Sequence, residues 1–591
     1  LDLGLIGNCA VAGLVDKAGR LVWFCLPRFD GDPVFHALLG DGPGEPGDGA
    51  FTVELEGLKE TSQSYEDNTA VLRTVLRGES GAVEIVDFCP RFAAKGRHFR
   101  PRMMIRHVRP LEGWPRVRIK LRPRYDWGAH EPQITQGSNH VRYLCGGQTL
   151  RLTTDMAIDH IVDERLVNLD RPVTFVLGPD ESLDQSPAEL GRHFRRETER
   201  YWRDWTRRLA IPFEWQEAVI RAAITLKLCA YEATGGIVAA ITTSLPESAD
   251  SGRNWDYRYC WVRDAFFTVR ALNSLAANRT LETYFQWLMN VVADAKGGHI
   301  QPVLGVGLER TLTETTAPHL QGYMGMGPVR IGNQAFEHFQ HDTYGNVILG
   351  AAPAFFDKRL FMDAGVAAFE TLEPLGEQAW KLHDVPDAGI WELRSRARIH
   401  TSSSLMCWAA CDRLAKIATH LGLAGRAGFW HERAEAIRAK ILERAWSEKR
   451  QSFVESFDGE TLDASVLLMG EVGFVPKGDW RFAATVDALS NTLGRGAFML
   501  RYEEADDFGS PEVGFNVCAF WRLDALARIG RVEEARELFG ELLAARNHLG
   551  LMSEDSDFTT GQAWGNFPQT YSMVGIVNGA VRLSKPWESQ I

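Results

Sequence analysis

The sequence predicts a mixed α and β chain of more than one domain, an antiparallel β module followed by a large all-helical region. Three observations carry that reading. Apolar residues alternate with period two from Leu1 to about Pro179, the period changes to 3.6 from Phe213 onward, and no strand pattern interrupts the roughly twelve helical stripes that follow. Length agrees, because 591 residues exceed what one ordinary hydrophobic core covers.

The β module, assigned to residues 1–184, is read from segments 50–55, 82–88, 116–121 and 149–154, where polar and apolar residues alternate between Gly and Pro breaks. Such alternation marks half-buried antiparallel sheet. Residues 187–208 are highly charged with apolar positions at helical intervals, and Ile211-Pro212 closes them off, so 185–211 is read as a helical linker. In the third region, 212–591, Val219, Ala222, Ala223, Leu226 and Ala230 stripe a helix that Gly235-Gly236 is expected to end. Similar stripes lie near 264–277, 281–296, 342–356, 366–382, 402–420, 430–447, 482–493, 514–529, 532–547 and 569–583, with a weaker one at 463–470. Helices without intervening strands suit a toroid of six hairpins or an irregular bundle, not a βαβ fold. The connections 297–341, 384–401, 496–513 and 549–568 are long and crowded with Gly, Pro, Trp, Glu and Arg. Long loops in a compact helical domain usually carry function.

A net charge of -12 argues against a nucleic-acid or anionic-membrane partner and for a neutral ligand. No apolar run approaches the roughly 20 residues of a membrane helix. Nine scattered Cys lack the paired spacing of a disulfide scaffold, so buried, reduced thiols and a cytoplasmic location are expected, with export the alternative because the chain starts at Leu1. Cys407 and Cys411 lack partners at zinc-ligand spacing, and neither a metal nor a cofactor is called for. Eighteen Trp exceed what packing usually demands, and some suit the apolar face of a sugar ring.

The chemistry is sought in three segments. The first, Arg253 to Asp264, gathers Arg253, Asp256, Arg258, Arg263 and Asp264 among Trp255, Tyr257, Tyr259 and Trp261. Arg and Asp side chains together fix hydroxyls by donating and accepting, while the rings exclude water. Arg263 and Asp264 are the choice for holding a terminal sugar, and a structural salt-bridge cluster is the competing reading. The second, Gly389-Ile390-Trp391-Glu392 followed by Arg394, sets a carboxyl beside an indole, whose desolvation favours the protonated form a general acid needs. The third, Ser553-Glu554-Asp555, precedes Gly561 and the compact Gly565-Asn566-Phe567-Pro568-Gln569. Asp555 and Asp557 could equally be calcium ligands or caps. Glycosidic cleavage needs one carboxylic acid for the leaving oxygen and a second carboxylate across the ring. His338 and His341 beside Asp342 read as ordinary core or surface histidines, and Thr401 or Ser402 as the cap of the next helix.

Taken in order, these segments resemble glycoside hydrolase family 15, the glucoamylase and trehalase-like group. The opening Gly4 to Cys9 and the stretch Leu21 to Asp30 resemble the trehalase-like β domain found at the start of such chains. The resemblance implies an N-terminal β-sandwich followed by an (α/α)6 barrel. It also implies Glu392 as general acid, Glu554 as general base, and Arg263 and Asp264 as the clamp on the non-reducing-end glucose; Trp255, Tyr259, Trp261, Trp391 and Arg394, read from the same segments, complete the expected substrate site. Two departures stand out: many bacterial relatives have Glu where this chain has Gln562, and Asp555 follows the expected base. The activity so implied is exo-acting, inverting hydrolysis of α-linked gluco-oligosaccharides from the non-reducing end, with trehalase as the alternative. The partner expected is a small oligosaccharide. An inverting phosphorylase and a non-catalytic sugar-binding protein are lesser readings, the first disfavoured by Glu554, since phosphorylases lack the base.

Overall fold

The computed structural model describes residues 1–40, 47–295, 298–361 and 364–589. The N-terminal region is two antiparallel sheets. One runs in the order Leu3–Gly7, Ala12–Asp16, Leu21–Leu26, Ala50–Leu55, Arg116–Arg122, Val167–Asn168, with Asp32–Phe35 paired to Leu21–Leu26. The other has eight strands, from Gln133–Gln136 at one edge through Gln148–Thr154, Met104–Gly113 and Gly81–Phe88 to Leu58–Tyr65 at the other. Each strand expected from alternation is present: Arg116–Arg122, for example, shows inward Val117, Ile119 and Leu121 between more exposed residues. The inner faces meet through Phe51 and Phe175, edge to face at 5.7 Å, within one apolar cluster. The buried Arg106–Asp87 pair, at 2.7 Å, lies against that cluster, with Arg106 also donating to Phe51 O and lying 4.4 Å over its ring.

Ser186 caps the helix Pro187–Thr206 by accepting from the Glu189 amide, with Pro187 in the first turn, as the charged stripe predicts. The following helix, Gln216–Leu228, ends before Gly235-Gly236. Gly235 instead occupies a turn at φ 100°, where Ala230 pairs with Ile237 and a side chain would strike Thr283 O. Similarly, neither Thr401 nor Ser402 caps the helix Thr401–His420: both lie inside it, and His400 holds the cap position without a side-chain bond, pinned there by its bridge to Ser456.

Six inner segments close a ring, each packed on the next: Val262–Ser274, Asp342–Ala351, Thr401–His420, the turn-and-helix pair Ala464–Leu467 and Leu468–Glu471, Asn516–Arg528 and Thr570–Leu583. The helices alternating with them in sequence, such as Asn278–Ala295, Val366–Leu382 and Ala424–Arg444, pack outside, which gives an (α/α)6 barrel. The inner members are buried nearly all round, as at Asn516–Arg528, whereas Ala424–Arg444 shows a single apolar stripe. All nine cysteines are free and buried, and among the described residues no helix is long and apolar enough to cross a membrane.

Candidate active site

The loops entering the inner helices converge on one cleft. It encloses about 940 Å³ of empty space, solvent at its mouth included, and is lined by Trp255, Tyr257, Trp261, Arg263, Asp264, Trp391, Glu392, Arg394, Arg501 and Gln569 among others. Several lining residues sit just before or within a helix's first turn: Trp261, Arg263 and Asp264 at the start of Val262–Ser274, Phe515 before Asn516–Arg528, Gln569 and Tyr571 at Thr570–Leu583. Helix N-termini turned toward a site favour carboxylates such as Asp264 and Asp342, each in a first turn. The β region braces this geometry, with Trp23 donating to Ile241 O and Arg258 to Gly31 O.

Glu392 is held in an unusual backbone. Its φ is 61°, left-handed for a side chain that ordinarily avoids that region. Asp387 builds the turn, taking hydrogen bonds from the His341 amide, the Gly389 amide and the Ser403 hydroxyl, with burial pushing its carboxyl up to about 7. Gly389, at φ 67°, lies against the His400 ring, 2.7 Å from where a Cβ would stand. The kink separates neighbouring side chains. Trp391 donates its indole N–H to Asp463 at 2.7 Å, while the indole that reaches Glu392 is Trp261, whose Nε1 lies 2.6 Å from Oε1. The indole that meets Glu392 therefore comes from 131 positions away and not from the adjacent Trp391.

Arg263 lies 3.6 Å from Glu392 and 3.7 Å from Asp264, and bonds Gln340 and Asp342 at 3.1 and 3.3 Å. Burial raises the Asp264 carboxyl to about 6 against the pull of Arg263. The Arg253 to Asp264 segment thus divides. Asp256 and Arg258 form a wholly buried pair at 2.7 Å, the structural cluster weighed as the competing reading. Tyr259 does not line the cleft, because its hydroxyl turns to Asp256 and its ring packs with Ala239, Val303 and Leu312. Tyr257 takes that place on the wall.

Glu554 is wholly buried one layer behind the wall. Its carboxyl receives the Asn566 amide on Oε2 and the Tyr257 hydroxyl. Burial first, and then the Glu247 carboxylate, push it well above the usual carboxylate range, with Tyr257, Arg501 and Asn566 pulling back. Tyr257 feels Glu554, Glu247 and Glu392 together, so its hydroxyl stands among all three acids. Gly565, at φ 74°, leaves the space: a Cβ there would stand 2.7 Å from Glu554 Oε2 and 2.9 Å from Asp555 Oδ2. Asp555 is also wholly buried, and burial with its two acidic neighbours holds its carboxyl protonated far above the ordinary range. Asp557 accepts the amides of Thr559 and Thr560 and so caps a turn.

Sequence reasoning missed Glu247, Arg501, Tyr502 and Asp506. Glu247 accepts from the Trp255 indole and from Arg501, and Arg253 grips Asp506 with two bonds of 2.5 and 2.6 Å. Three of the four lie in the loop 496–513, already marked by its length and charge. His338 lines the cleft.

The sequence model described as "Glycosyl hydrolases family 15" matches residues 215–581. The chain belongs to glycosyl hydrolase family 15. Residues 2–169 match the model "Trehalase-like, N-terminal". As a family 15 member, the chain is a glycoside hydrolase acting on a sugar substrate. It is 31% identical to a trehalase of Mycolicibacterium smegmatis, over 99% of this chain and 91% of that one. It is 29% identical to a trehalase of Thermoplasma volcanium, over 98% and 93%. A crystal structure of a bacterial glucoamylase complexed with acarbose superposes with a TM-score of 0.70 over 98% of this chain and 94% of that one, at 12% identity, which concerns the fold alone.

Proposed function

We propose that this family 15 hydrolase cleaves α,α-trehalose with inversion, Glu392 acting as general acid and Glu554 as general base. The observation that carries the chemistry is the pairing of two carboxyl groups in unlike surroundings across Tyr257: one on the cleft wall beneath an indole N–H, the other buried behind it. Glu392 protonates the glycosidic oxygen, and the Trp261 N–H strengthens as charge develops on the carboxylate. Arg263 and Asp264 hold the terminal glucose at the most buried end of the cleft. Tyr257 orients Glu554, which deprotonates the water attacking the anomeric carbon. An inverting pair stands roughly 6.5–9.5 Å apart to admit that water.

The substrate choice departs from the first expectation. Glucoamylase-like hydrolysis leads on motifs alone; similarity over essentially the whole chain, β region included, to proteins named trehalases favours the alternative.

Inversion on trehalose releases one β-glucose and one α-glucose per turnover. Incubating the protein with trehalose, maltose, isomaltose and maltotriose, with proton NMR of the nascent anomers, tests this. Turnover of maltose and maltotriose with trehalose untouched would restore the glucoamylase-like reading, and binding without turnover would favour a sugar-binding protein. Glu554→Gln is expected to lower kcat by roughly 10²–10⁴-fold with trehalose binding preserved; full turnover would end its assignment as base.

A further inference from the structure

Exposure divides the cleft into a floor and a rim. Asp264, Trp521 and Tyr571 are 7, 5 and 4% exposed, while Phe508 is 39% exposed and Arg394 and Asp507 stand open to solvent. A sugar therefore enters past Arg394, Asp507 and Phe508. Glu392 lies between, and Arg394 follows it by only two residues, at most about 7 Å of extended chain. Arg394 and Glu392 both line the cleft, so the rim begins close to the point of cleavage.

That rim is latched. The Arg394 amide donates to Asp507 at 2.9 Å and the Ser395 hydroxyl bonds the same carboxylate. The Arg394 guanidinium spans the gap to Glu314, at 2.9 and 3.4 Å, and lies 4.5 Å over the Trp255 ring. Arg330 shares Glu314 and the same indole, at 3.1 and 5.1 Å. From the other side Arg253 and the Tyr502 hydroxyl hold Asp506. Adjacent acids of one loop are therefore tied to opposite walls. Asp507 spends its carboxylate on a backbone amide and a hydroxyl, which fixes the position of the segment carrying Glu392 and leaves the Arg394 side chain to reach across.

We propose that the loops 389–396 and 505–509, latched through Arg394, Ser395 and Asp507, roof the leaving-sugar side of the cleft, admitting a disaccharide and turning away longer glucans. Resting on the placement of Glu392 at the point of cleavage, this extends the trehalose reading from the bond cut to the length accepted. Arg394 and Trp255 then face the leaving glucose, and Asp507 is a positioning residue.

The test compares kcat/KM for trehalose with that for trehalose extended by one α-1,4-linked glucose, and for maltose with maltotriose, in the parent protein and in Asp507→Ala, Ser395→Ala and Arg394→Ala. The parent is expected to prefer the shorter sugar at least tenfold. Asp507→Ala should narrow that preference to under threefold, chiefly through a lower KM for the longer sugar, and Arg394→Ala should lower kcat/KM on the disaccharide at least tenfold. Asp507→Asn, which keeps an acceptor, should restore the preference. Should Asp507→Ala fail to fold, Ser395→Ala removes the hydroxyl bond of the latch from its other side, while Arg394→Ala, which keeps the backbone amide bond to Asp507, reports on the leaving-sugar contact alone. A parent protein indifferent to length, or folded latch variants with an unmoved ratio, would overturn the roof. Failure on trehalose with the expected maltose to maltotriose ratio would overturn the substrate and leave the roof standing.

Discussion

Replacing Trp261 by Phe removes one hydrogen bond and little else from the cleft. The indole N–H lies 2.6 Å from Glu392 Oε1, and the Trp261 ring packs edge to face on Tyr257 at 5.3 Å, a contact that a phenyl ring largely keeps. A neutral hydrogen bond contributes about 1 kcal/mol and one to a charged group about 1.5–3 kcal/mol. The bond is made to Glu392 in both states, so only the difference between acid and developing carboxylate acts on the barrier, about 0.5–2 kcal/mol with a centre near 1.3 kcal/mol. At 1.36 kcal/mol per decade this is a fall in kcat of roughly 2- to 30-fold, about tenfold at the centre of the range. KM on trehalose should change much less, since the ground state loses only the weaker bond. Steady-state kinetics with coupled glucose detection, alongside thermal melting to establish folding, measure both. A folded Trp261→Phe protein with kcat within twofold of the parent, or with its whole loss in KM, would refute the argument that this indole stabilises the charge left on Glu392.

Glu247→Gln should move the acidic limb of the kcat profile to lower pH by on the order of one unit. Glu247 raises the Glu554 carboxyl, so removing its charge eases ionisation and the base stays active at lower pH; a limb that rises or stays put would count against the coupling. Gly565→Ala puts a Cβ against Glu554 and Asp555, and is expected to cut activity at least 100-fold while the fold remains by circular dichroism; near-normal turnover would show that Glu554 can shift freely. Asp87→Ala leaves Arg106 buried and uncompensated far from the cleft, at a cost of about 3–5 kcal/mol. Denaturant unfolding would register it, whereas Asp2→Ala, in the exposed pair with Lys17, should cost less than about 1 kcal/mol.

Much of the architecture was legible in residue order. Strand alternation in segments such as 116–121 and the 3.6-residue stripes are local patterns, set by which face each element must bury. Where such patterns failed, a long-range contact had won: Gly235 serves a turn against Thr283, not a helix end, and His400, bridged to Ser456, holds the cap position expected of Thr401 or Ser402. The three motif segments and the long loops also marked where the cleft would form.

By itself, then, the sequence determined the order of β region, linker helix and helical ring, the family, and the two glutamates worth testing, because periodicity and motif are properties of neighbours along the chain. Tertiary structure alone decided that Trp261 and not Trp391 meets Glu392, that Tyr259 turns away while Tyr257 reaches Glu554, and that Glu247 and Arg501 surround the buried acid. Those pairings join residues up to more than 300 positions apart, such as Glu247 and Glu554. They exist only once the ring closes and brings the ends of six inner helices to one place, where burial and neighbouring charge act through space and not along the chain.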